Sequence, residues 1–285
     1  HCSLSWATDE NLSASGPRFT GDTPEDWSNG TSHNIVFSNN IVAEGLSYST
    51  HAKGEHSKGS LIHDNVADIV IYGNLYAHNF ERSPLFKGGV QGAIMNNLIY
   101  DPGQRAIHYN LQELEWGKIA ARTGHMSVMG NVMRAGPSTI IGLPMIMLGG
   151  EGNLDLYRED NISVDRWGQA VEQIGRYTTG PASITEVSAP DLPDFAPTPM
   201  PAVAVEAYVL SHVGARPWDR DGNDVRVLAD TAEGRGEIID SQSEVGGYPV
   251  AETVTHAFDA ADWVEGTMAP ATETALDSGA AARGT

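Results

Sequence analysis

Short apolar runs recur along the first half of the chain, and an asparagine followed by a second apolar stretch closes each one. These asparagines are Asn40, Asn74, Asn97, Asn131 and Asn161. The steps between them are 34, 23, 34 and 30 residues. One rung of three short strands and three turns takes roughly as many residues as the shortest of these steps. A longer step corresponds to a rung that carries a loop. The pattern therefore predicts a parallel β-helix, and it leaves open a β-sandwich with chance asparagine turns.

The asparagines themselves fit the bends of such a β-helix. Asparagine tolerates left-handed backbone angles, which a tight bend between strands requires. Rungs that stack in register can also join their asparagine amides into a ladder of side-chain hydrogen bonds. We expect the repeated asparagines to lie above one another along one edge of the molecule.

Helical periodicity is scarce before residue 200 and becomes clear after it. Residues 202–213 form a short amphipathic pattern that Gly214 closes. Residues 221–232 predict a second helix, for which either Asp219 or Asp221 is the N-cap. The fold class predicted is therefore all-β, with a few short helices near the C-terminus.

Three segments differ in composition along the chain. Residues 1–188 carry the strand-like runs and are predicted to form the β-helix rungs. Residues 189–250 begin Pro-rich and predict an extended strap with short helices that pack on the β-helix. Residues 251–285 are acidic and rich in Ala and Thr, so we expect a weakly ordered tail.

The charge balance excludes several classes of partner. The 285 residues include 17 Lys and Arg against 37 Asp and Glu, which gives a net charge of −20. Such a surface repels nucleic acid phosphates and anionic lipid, so neither is an expected partner. No apolar run is long enough to predict a membrane span. The single cysteine, Cys2, excludes an internal disulfide and a multi-cysteine metal site.

Two adjacent acids, Asp9 and Glu10, stand near the start of the chain. In a strand their side chains would point to opposite faces, but at a turn both could face one ion. Calcium takes carboxylate oxygens, so the pair is a candidate calcium site. The alternative is a solvated acidic turn.

Three cations follow within thirty residues of one another in a chain that has few of them. Lys58, Arg82 and Lys87 would meet if successive rungs stack, because stacking brings loops 24 residues apart into contact. They are candidates for binding an anionic substrate. The alternative is that each cation neutralises a neighbouring acid, such as Glu81 or Asp64.

Blocks of the sequence resemble the bacterial pectate lyases of polysaccharide lyase family 1. The blocks cover roughly residues 1–250 and occur in the family's order. They read HCSLSWATDE, HSKGSLI, NFERSPLFKGG, AIMNNLIY, GARPWDRD and IIDSQSEVGG. The family has further N-terminal rungs and a capping helix upstream of the first block, and we expect both to be missing here.

This resemblance implies a right-handed, single-stranded parallel β-helix that cleaves polygalacturonate (pectate) by calcium-assisted β-elimination. Arg82 falls at the family's catalytic arginine, which acts as the base, and Lys58 at its substrate-binding lysine. Lys87 falls where many members have a substrate-gripping arginine, and Asp9 and Glu10 fall in the block that supplies calcium-binding acids. The implied protein is a secreted monomer, and an arginine base implies an alkaline rate optimum.

Two alternatives remain at this level. A polygalacturonase-like hydrolase would need paired acids acting on water, but the Asn-Thr-Asp and Gly-His-Gly motifs of that class are absent from the sequence. A non-catalytic or degenerate β-helix that only binds polysaccharide is the second alternative. Calcium-dependent formation of a double bond in the product separates the lyase from both.

Overall fold

The computed structural model describes residues 1–248 and two short strands beyond them, and eighteen strands of residues 1–186 form six successive rungs. The first two rungs contain β1 (Ser3–Ser5), β2 (Glu10–Ala14), β3 (His33–Ser38), β4 (Ile41–Ala43), β5 (Lys58–Ile62) and β6 (Ala67–Tyr72). The next two contain β7 (Leu75–Ala77), β8 (Leu85–Lys87), β9 (Gln91–Met95), β10 (Leu98–Tyr100), β11 (Ile107–Leu111) and β12 (Gly124–Met129). The last two contain β13 (Val132–Arg134), β14 (Ile146–Gly150), β15 (Leu154–Glu159), β16 (Ile162–Val164), β17 (Ile174–Arg176) and β18 (Ile184–Glu186).

Corresponding strands of the six rungs pair in parallel and form three sheets of six strands each. Sheet A holds the first strand of every rung, sheet B the second and sheet C the third. Every pairing joins a strand to the one three positions further along the chain, for example β5 to β8. The predicted parallel β-helix is confirmed, and the sandwich alternative is wrong.

The asparagine ladder is also confirmed. The side-chain oxygen of Asn74 accepts hydrogen bonds from the backbone and side-chain nitrogens of Asn40, at 2.9 and 2.8 Å. The same two bonds continue from Asn74 to Asn97, from Asn97 to Asn131 and from Asn131 to Asn161. Each rung is thus joined to the next where sheet C turns into sheet A.

The left-handed residue of this turn is the one before the ladder asparagine, rather than the ladder asparagine itself. These residues have φ between 48° and 66°, and they are Asn39, Gly73, Asn96, Gly130 and Asp160. Glycine, asparagine and aspartate are the residue types that adopt this conformation at least cost. The repeat in the sequence is therefore a two-residue signal, in which the first residue bends the chain and the second ties the rungs together.

The core lies inside the three sheets. In sheet B the register stacks Ala14, Ile62, Phe86, Tyr109 and Leu148 into one inward column. Because successive side chains of a strand point to opposite faces, the residues between them point outward. The outward face of sheet B therefore carries pairs such as Leu61 with Leu85 and Lys87 with Asn110.

Helices complete the described chain: α1 (Pro24–Gly30), α2 (Glu113–Trp116), α3 (Ala202–His212) and α4 (Gly222–Glu233). Both predicted helices are confirmed, and the cap of α4 is Asp221, whose side chain accepts a hydrogen bond from the backbone of Asp224 at 2.9 Å. The sequence analysis missed α1 and α2. For α1 a signal was present, because Thr23 and Asp26 form a capping box around Pro24.

Residues after the last rung cover two of the three sheets. Val205 and Val209 of α3 and Val227 of α4 belong to one apolar cluster with the outward residues of sheet A. Leu192 and Ala196 of the Pro-rich segment pack beside the outward residues of sheet C. The outward face of sheet B carries the polar cleft described below.

The chain divides into two compact units, residues 1–249 and 250–285. In the second unit the structure describes only the antiparallel pair β19 (Trp263–Val264) and β20 (Ala269–Pro270). The predicted weak order of residues 251–285 otherwise lies outside the described residues. Among the described helices, none has the length and apolar character needed to cross a membrane.

Candidate functional site

A polar cleft lies over the outward face of sheet B, beside β2, β5, β8 and β11. Four of the five site residues predicted from the sequence line it: Asp9, Glu10, Arg82 and Lys87. Stacking of the rungs brings them together, because Glu10 opens β2, Arg82 precedes β8 and Lys87 closes β8. The fifth residue, Lys58, opens β5 between Glu10 and Glu81 in the sheet.

Arg82 has an unusual backbone and a largely buried side chain. Its φ of 67° is left-handed, and its carbonyl oxygen accepts a hydrogen bond from the backbone of Ser60 at 2.5 Å. Its guanidinium group contacts the carboxylate of Glu10 and lies 4.0 Å from Asp9. Burial lowers the pKa of Arg82, and the negative charge of Asp9 opposes that shift. A lowered pKa is what an arginine needs if it is to accept a proton.

Asp9 and Glu10 both face this guanidinium group. Asp9 lies in a bend immediately before β2. Its side chain therefore does not follow the alternation of a strand, which would have placed the two carboxylates on opposite faces. Asp9 Oδ1 is 2.8 Å from His56 Nε2, and its Oδ2 is 3.5 Å from His51 Nε2. Burial and the positive charge of Lys58 lower the pKa of His56, so this imidazole is neutral at neutral pH. The acids thus form part of a polar cluster, in which Asp9 is half-exposed, as in a solvated turn, and Glu10 is mostly buried.

Lys58 lies beneath the cleft rather than in its lining. Its ammonium group contacts Glu81 and lies 5.5 Å from the centre of the Phe80 ring, and its side chain is 5% exposed. Burial and the charge of Arg105 lower the pKa of Lys58 to about 8. The negative charges of Glu55 and Asp9 oppose this shift, and a pKa of about 8 leaves Lys58 mostly charged at neutral pH. Its role in binding substrate remains a prediction.

Lys87 is also paired. Its ammonium nitrogen lies 2.5 Å from the carboxylate of Glu115, which Arg18 contacts at 2.8 Å. Arg18 in turn donates to Asp64 at 2.9 Å. The alternative, that each cation neutralises a neighbouring acid, therefore agrees with the structure for Lys58 and Lys87. Asp64, one of the acids named for that role, pairs with Arg18.

Arg105 is a cation that the sequence analysis missed. It contacts Glu81, and its guanidinium carbon lies 4.7 Å from the centre of the Tyr177 ring. It stands one rung beyond Arg82, since Ser83 donates to the carbonyl oxygen of Ala106 at 3.0 Å. The signal was a 23-residue step from Arg82 to Arg105, which equals the ladder step from Asn74 to Asn97.

The carboxylates of Asp9 and Glu10 suit calcium, provided that the ion takes its remaining ligands from outside the protein. Asp9 Oδ1 and Glu10 Oε1 are buried oxygens, and the protein groups next to them are the imidazole of His56 and the guanidinium group of Arg82. Calcium takes about six to eight oxygen ligands, so two carboxylates leave positions for substrate carboxylates and water. The imidazoles beside Asp9 are not donors that calcium favours.

Comparison with known proteins supports the resemblance. No family model matches the chain. The protein named "Probable pectate lyase C" from Aspergillus terreus is 28% identical over an alignment of 261 residues, which covers 87% of this chain and 52% of that protein. A protein of the same name from Emericella nidulans is 30% identical over 141 residues, which are 50% of this chain and 25% of that protein.

The resemblance read from the sequence blocks is thus confirmed. The chain is similar to proteins named as pectate lyases over most of its own length, and it folds as a parallel β-helix. It spans about half the length of the first of these relatives and a quarter of the second.

Proposed function

We propose that this pectate lyase-like chain cleaves polygalacturonate by β-elimination in the cleft over sheet B, with Arg82 as the base. The observation that carries the proposal is the placement of Arg82. It is a largely buried arginine with a lowered pKa, held in a left-handed conformation beside the carboxylates of Asp9 and Glu10. The sequence block that contains it is the one that resembles the family's catalytic block.

Substrate binding exchanges one set of carboxylates for another. A uronate carboxylate that enters the cleft replaces Glu115 beside the ammonium group of Lys87, which donates a hydrogen bond to the Glu115 carboxylate at 2.5 Å. Lys58 and Arg105 lie behind the cleft wall on either side of Glu81 and add positive potential. A polyanion can therefore bind here even though the chain has a net charge of −20.

The chemical step removes the proton at C5 of a uronate and expels the oxygen at C4 of the same ring. Arg82, in its neutral form, accepts the C5 proton. The electron pair of the C5–H bond forms the C4–C5 double bond, and the leaving oxygen departs with the pair of the C4–O4 bond and takes a proton from water. Burial of Arg82 favours its neutral form, and so it makes this transfer less costly.

Calcium enters the proposal through Asp9 and Glu10. When bound, calcium neutralises the uronate carboxylate and stabilises the negative charge that develops beside it. The two carboxylates would hold it from one side of the cleft, opposite Lys87. Engagement of Glu10 by a cation would also release the guanidinium group of Arg82 from its present partner, which favours loss of its proton.

Elimination fits this site better than hydrolysis does. An acid-catalysed hydrolysis needs one carboxylic acid with a raised pKa and a second carboxylate that activates water. Here Glu10 contacts a guanidinium group, and Asp9 faces two imidazoles and the same guanidinium group. Both acids therefore face nitrogen groups of the protein, which is not the arrangement that such a hydrolysis needs.

The proposed substrate also bears on where the protein works. Polygalacturonate is a polymer that does not cross a cell membrane intact. We therefore place the enzyme outside the cell, as a monomer that meets its substrate there.

Ultraviolet absorbance of unsaturated uronate tests the proposal. The chain is incubated with polygalacturonate at alkaline pH, with calcium and with a chelator. We expect a rise in absorbance with calcium that the chelator abolishes. New reducing ends without absorbance would indicate a hydrolase, and binding without either product would indicate a polysaccharide-binding protein; both would overturn the lyase.

A further inference from the structure

Two histidines and one aspartate converge at the rim of the cleft, next to the site already described. The rings of His51 and His56 are stacked, with centroids 3.8 Å apart and planes only 3° from parallel. Both direct Nε2 toward the carboxylate of Asp9, at 3.5 Å from Oδ2 and 2.8 Å from Oδ1 respectively. One donor atom from each of the three residues lies within 4.8 Å of the others.

This donor set differs in kind from the one that suits calcium. Calcium is a hard cation that binds oxygen, whereas imidazole nitrogen suits zinc, copper and nickel. Two imidazoles and one carboxylate are a set that binds zinc with one further position for water. We propose that His51, His56 and Asp9 form a binding site for a divalent transition metal of the zinc class.

The surrounding backbone orders the loop that carries the two histidines, and because their rings are stacked, one ring must rotate before both Nε2 atoms can bind a single ion. Both lie in the loop between β4 and β5. The backbone of His56 donates to Ser47 at 3.0 Å, and the carbonyl oxygen of His51 accepts from Gly54 at 3.1 Å. The side chain of His56 is 7% exposed, while those of His51 and Asp9 are 20% and 49% exposed. One ligand is therefore fixed by packing, and the other two leave the site open to solvent.

One proton must move when the metal binds. In the metal-free protein the backbone of Lys53 donates to Nδ1 of His51 at 3.2 Å, so a neutral His51 carries its proton on Nε2. Metal binding at Nε2 shifts this proton to Nδ1 within the same ring. The long hydrogen bond from Lys53 is then lost, and because Lys53 is exposed, water can replace it.

A second cluster of possible ligands, His63, Asp64 and Glu115, does not carry the same inference. Asp64 accepts hydrogen bonds from Arg18 and from the indole of Trp116, each at 2.9 Å. Arg18 also contacts Glu115. Arg18 and the indole of Trp116 thus already bind these carboxylates. The partners of Asp9 at the proposed site are mainly imidazoles, which can themselves be metal ligands.

Isothermal titration of the chelator-treated full chain with zinc chloride tests the site. We expect wild type to bind one zinc ion at this site, and His51→Asn to bind it at least about 10-fold more weakly. Asp9→Asn, which keeps the shape of the side chain, should weaken it similarly. Absence of zinc binding by wild type, or equal affinity in wild type and His51→Asn, would overturn the proposal.

His125→Asn is the matched control. His125 also faces an aspartate, Asp155, at 3.8 Å, but it belongs to neither cluster of three ligands that the structure describes. Its zinc affinity should equal that of wild type. Cobalt provides a second readout that does not depend on heats: visible absorption bands of imidazole-bound cobalt are expected in wild type and His125→Asn, and are expected to be lost in His51→Asn. Bands that persist in a folded His51→Asn would overturn the assignment of ligands.

One consequence rests on the proposed function, because Asp9 would serve both metals. Zinc should then inhibit polygalacturonate cleavage, and excess calcium should relieve the inhibition. In His51→Asn the inhibition should need at least about 10-fold more zinc. Zinc binding without any lyase activity would leave the metal site standing and reject only the proposed function.

Discussion

At the position of Arg82, neighbouring rungs fix both the backbone and the side chain. A left-handed conformation costs a non-glycine residue about 1 kcal/mol, so surrounding contacts must hold it. Ser60 supplies one such contact through its backbone hydrogen bond to the Arg82 carbonyl oxygen. Gly59 supplies the space, because a Cβ there would overlap the same oxygen and come within 3.1 Å of the Tyr76 ring.

Gly59→Ala should therefore move the backbone of Arg82 and lower kcat for polygalacturonate by about 10-fold or more, since small displacements of a catalytic group are costly. Steady-state kinetics measures the effect. Gly222→Ala is the control, because no atom lies within 4 Å of a Cβ at that position in α4. If Gly59→Ala retains wild-type kcat, the carbonyl contact does not position Arg82.

The charge of Lys58 predicts how substrate binding depends on pH. In its proposed role Lys58 attracts uronate carboxylates only while protonated, and burial and the charge of Arg105 lower its pKa to about 8. As pH rises through that value the positive charge is lost, so KM should increase, although kcat gains from a larger neutral fraction of Arg82. Lys58→Arg keeps its charge at higher pH and should move the rise in KM upward. KM profiles that coincide for the two proteins would contradict this role.

At the residue scale the sequence blocks identified positions but not partners. All five predicted site residues lie in or just before the first three strands of sheet B, β2, β5 and β8, because motifs one rung apart stack there. The sequence left open that Glu81 neutralises a neighbouring cation, as it does for Lys58, but the pairing of Lys87 with Glu115 could not be predicted. Glu115 lies 28 residues after Lys87, and α2 brings it to the cleft through a fold that no local pattern encodes.

At the scale of elements, the rungs were predictable wherever two local requirements coincide. A left-handed residue must precede each ladder asparagine, and short apolar strands must flank the pair. Both requirements can be recognised in the sequence. The short helices α1 and α2 are harder to recognise, since 7 and 4 residues are too few to show an amphipathic period.

Asn97 is the interior link of the ladder, and its loss should destabilise the β-helix. Its side chain accepts two hydrogen bonds from Asn74 and donates to Ile71, Met95 and Asn131. Asn97→Ala leaves several of these buried groups unpaired, so we expect a loss of about 3 kcal/mol in the free energy of unfolding.

Asn40→Ala is the matched comparison within the same ladder. The side chain of Asn40 donates to Asn74 but stands at the first position of the ladder, so its loss should cost about 1 kcal/mol. Urea unfolding measures both variants. Equal losses would show that the ladder does not act as a chain of coupled bonds.

At the scale of the whole molecule, the segments that pack on the outside of the sheets decide which sheet a substrate can reach. Helices α3 and α4 cover sheet A, and the Pro-rich segment covers part of sheet C. Arg226 of α4 holds this arrangement through two hydrogen bonds to buried Glu44, at 2.7 and 2.8 Å. The sequence predicted that residues 189–250 pack on the β-helix, but which sheets they cover depends on contacts such as this one, between residues 182 positions apart.

Charge is also distributed unevenly over the molecule. The chain has a net charge of −20, yet the cleft region gathers Lys58, Arg82, Lys87 and Arg105. Because composition averages over the whole surface, it does not reveal where the few cations of the chain gather. Only the stacking of rungs shows that these four residues share one region.

The most direct test of the central claim compares wild type with Arg82→Lys in the unsaturated-uronate assay, with calcium present. The account predicts that Arg82→Lys lowers the rate by about 10²–10⁴-fold, because lysine changes both the reach and the basicity of the proposed base. Arg158→Lys, at an exposed pair with Glu186, should keep the wild-type rate. An Arg82→Lys variant as active as Arg158→Lys would contradict the assignment of Arg82 as the base.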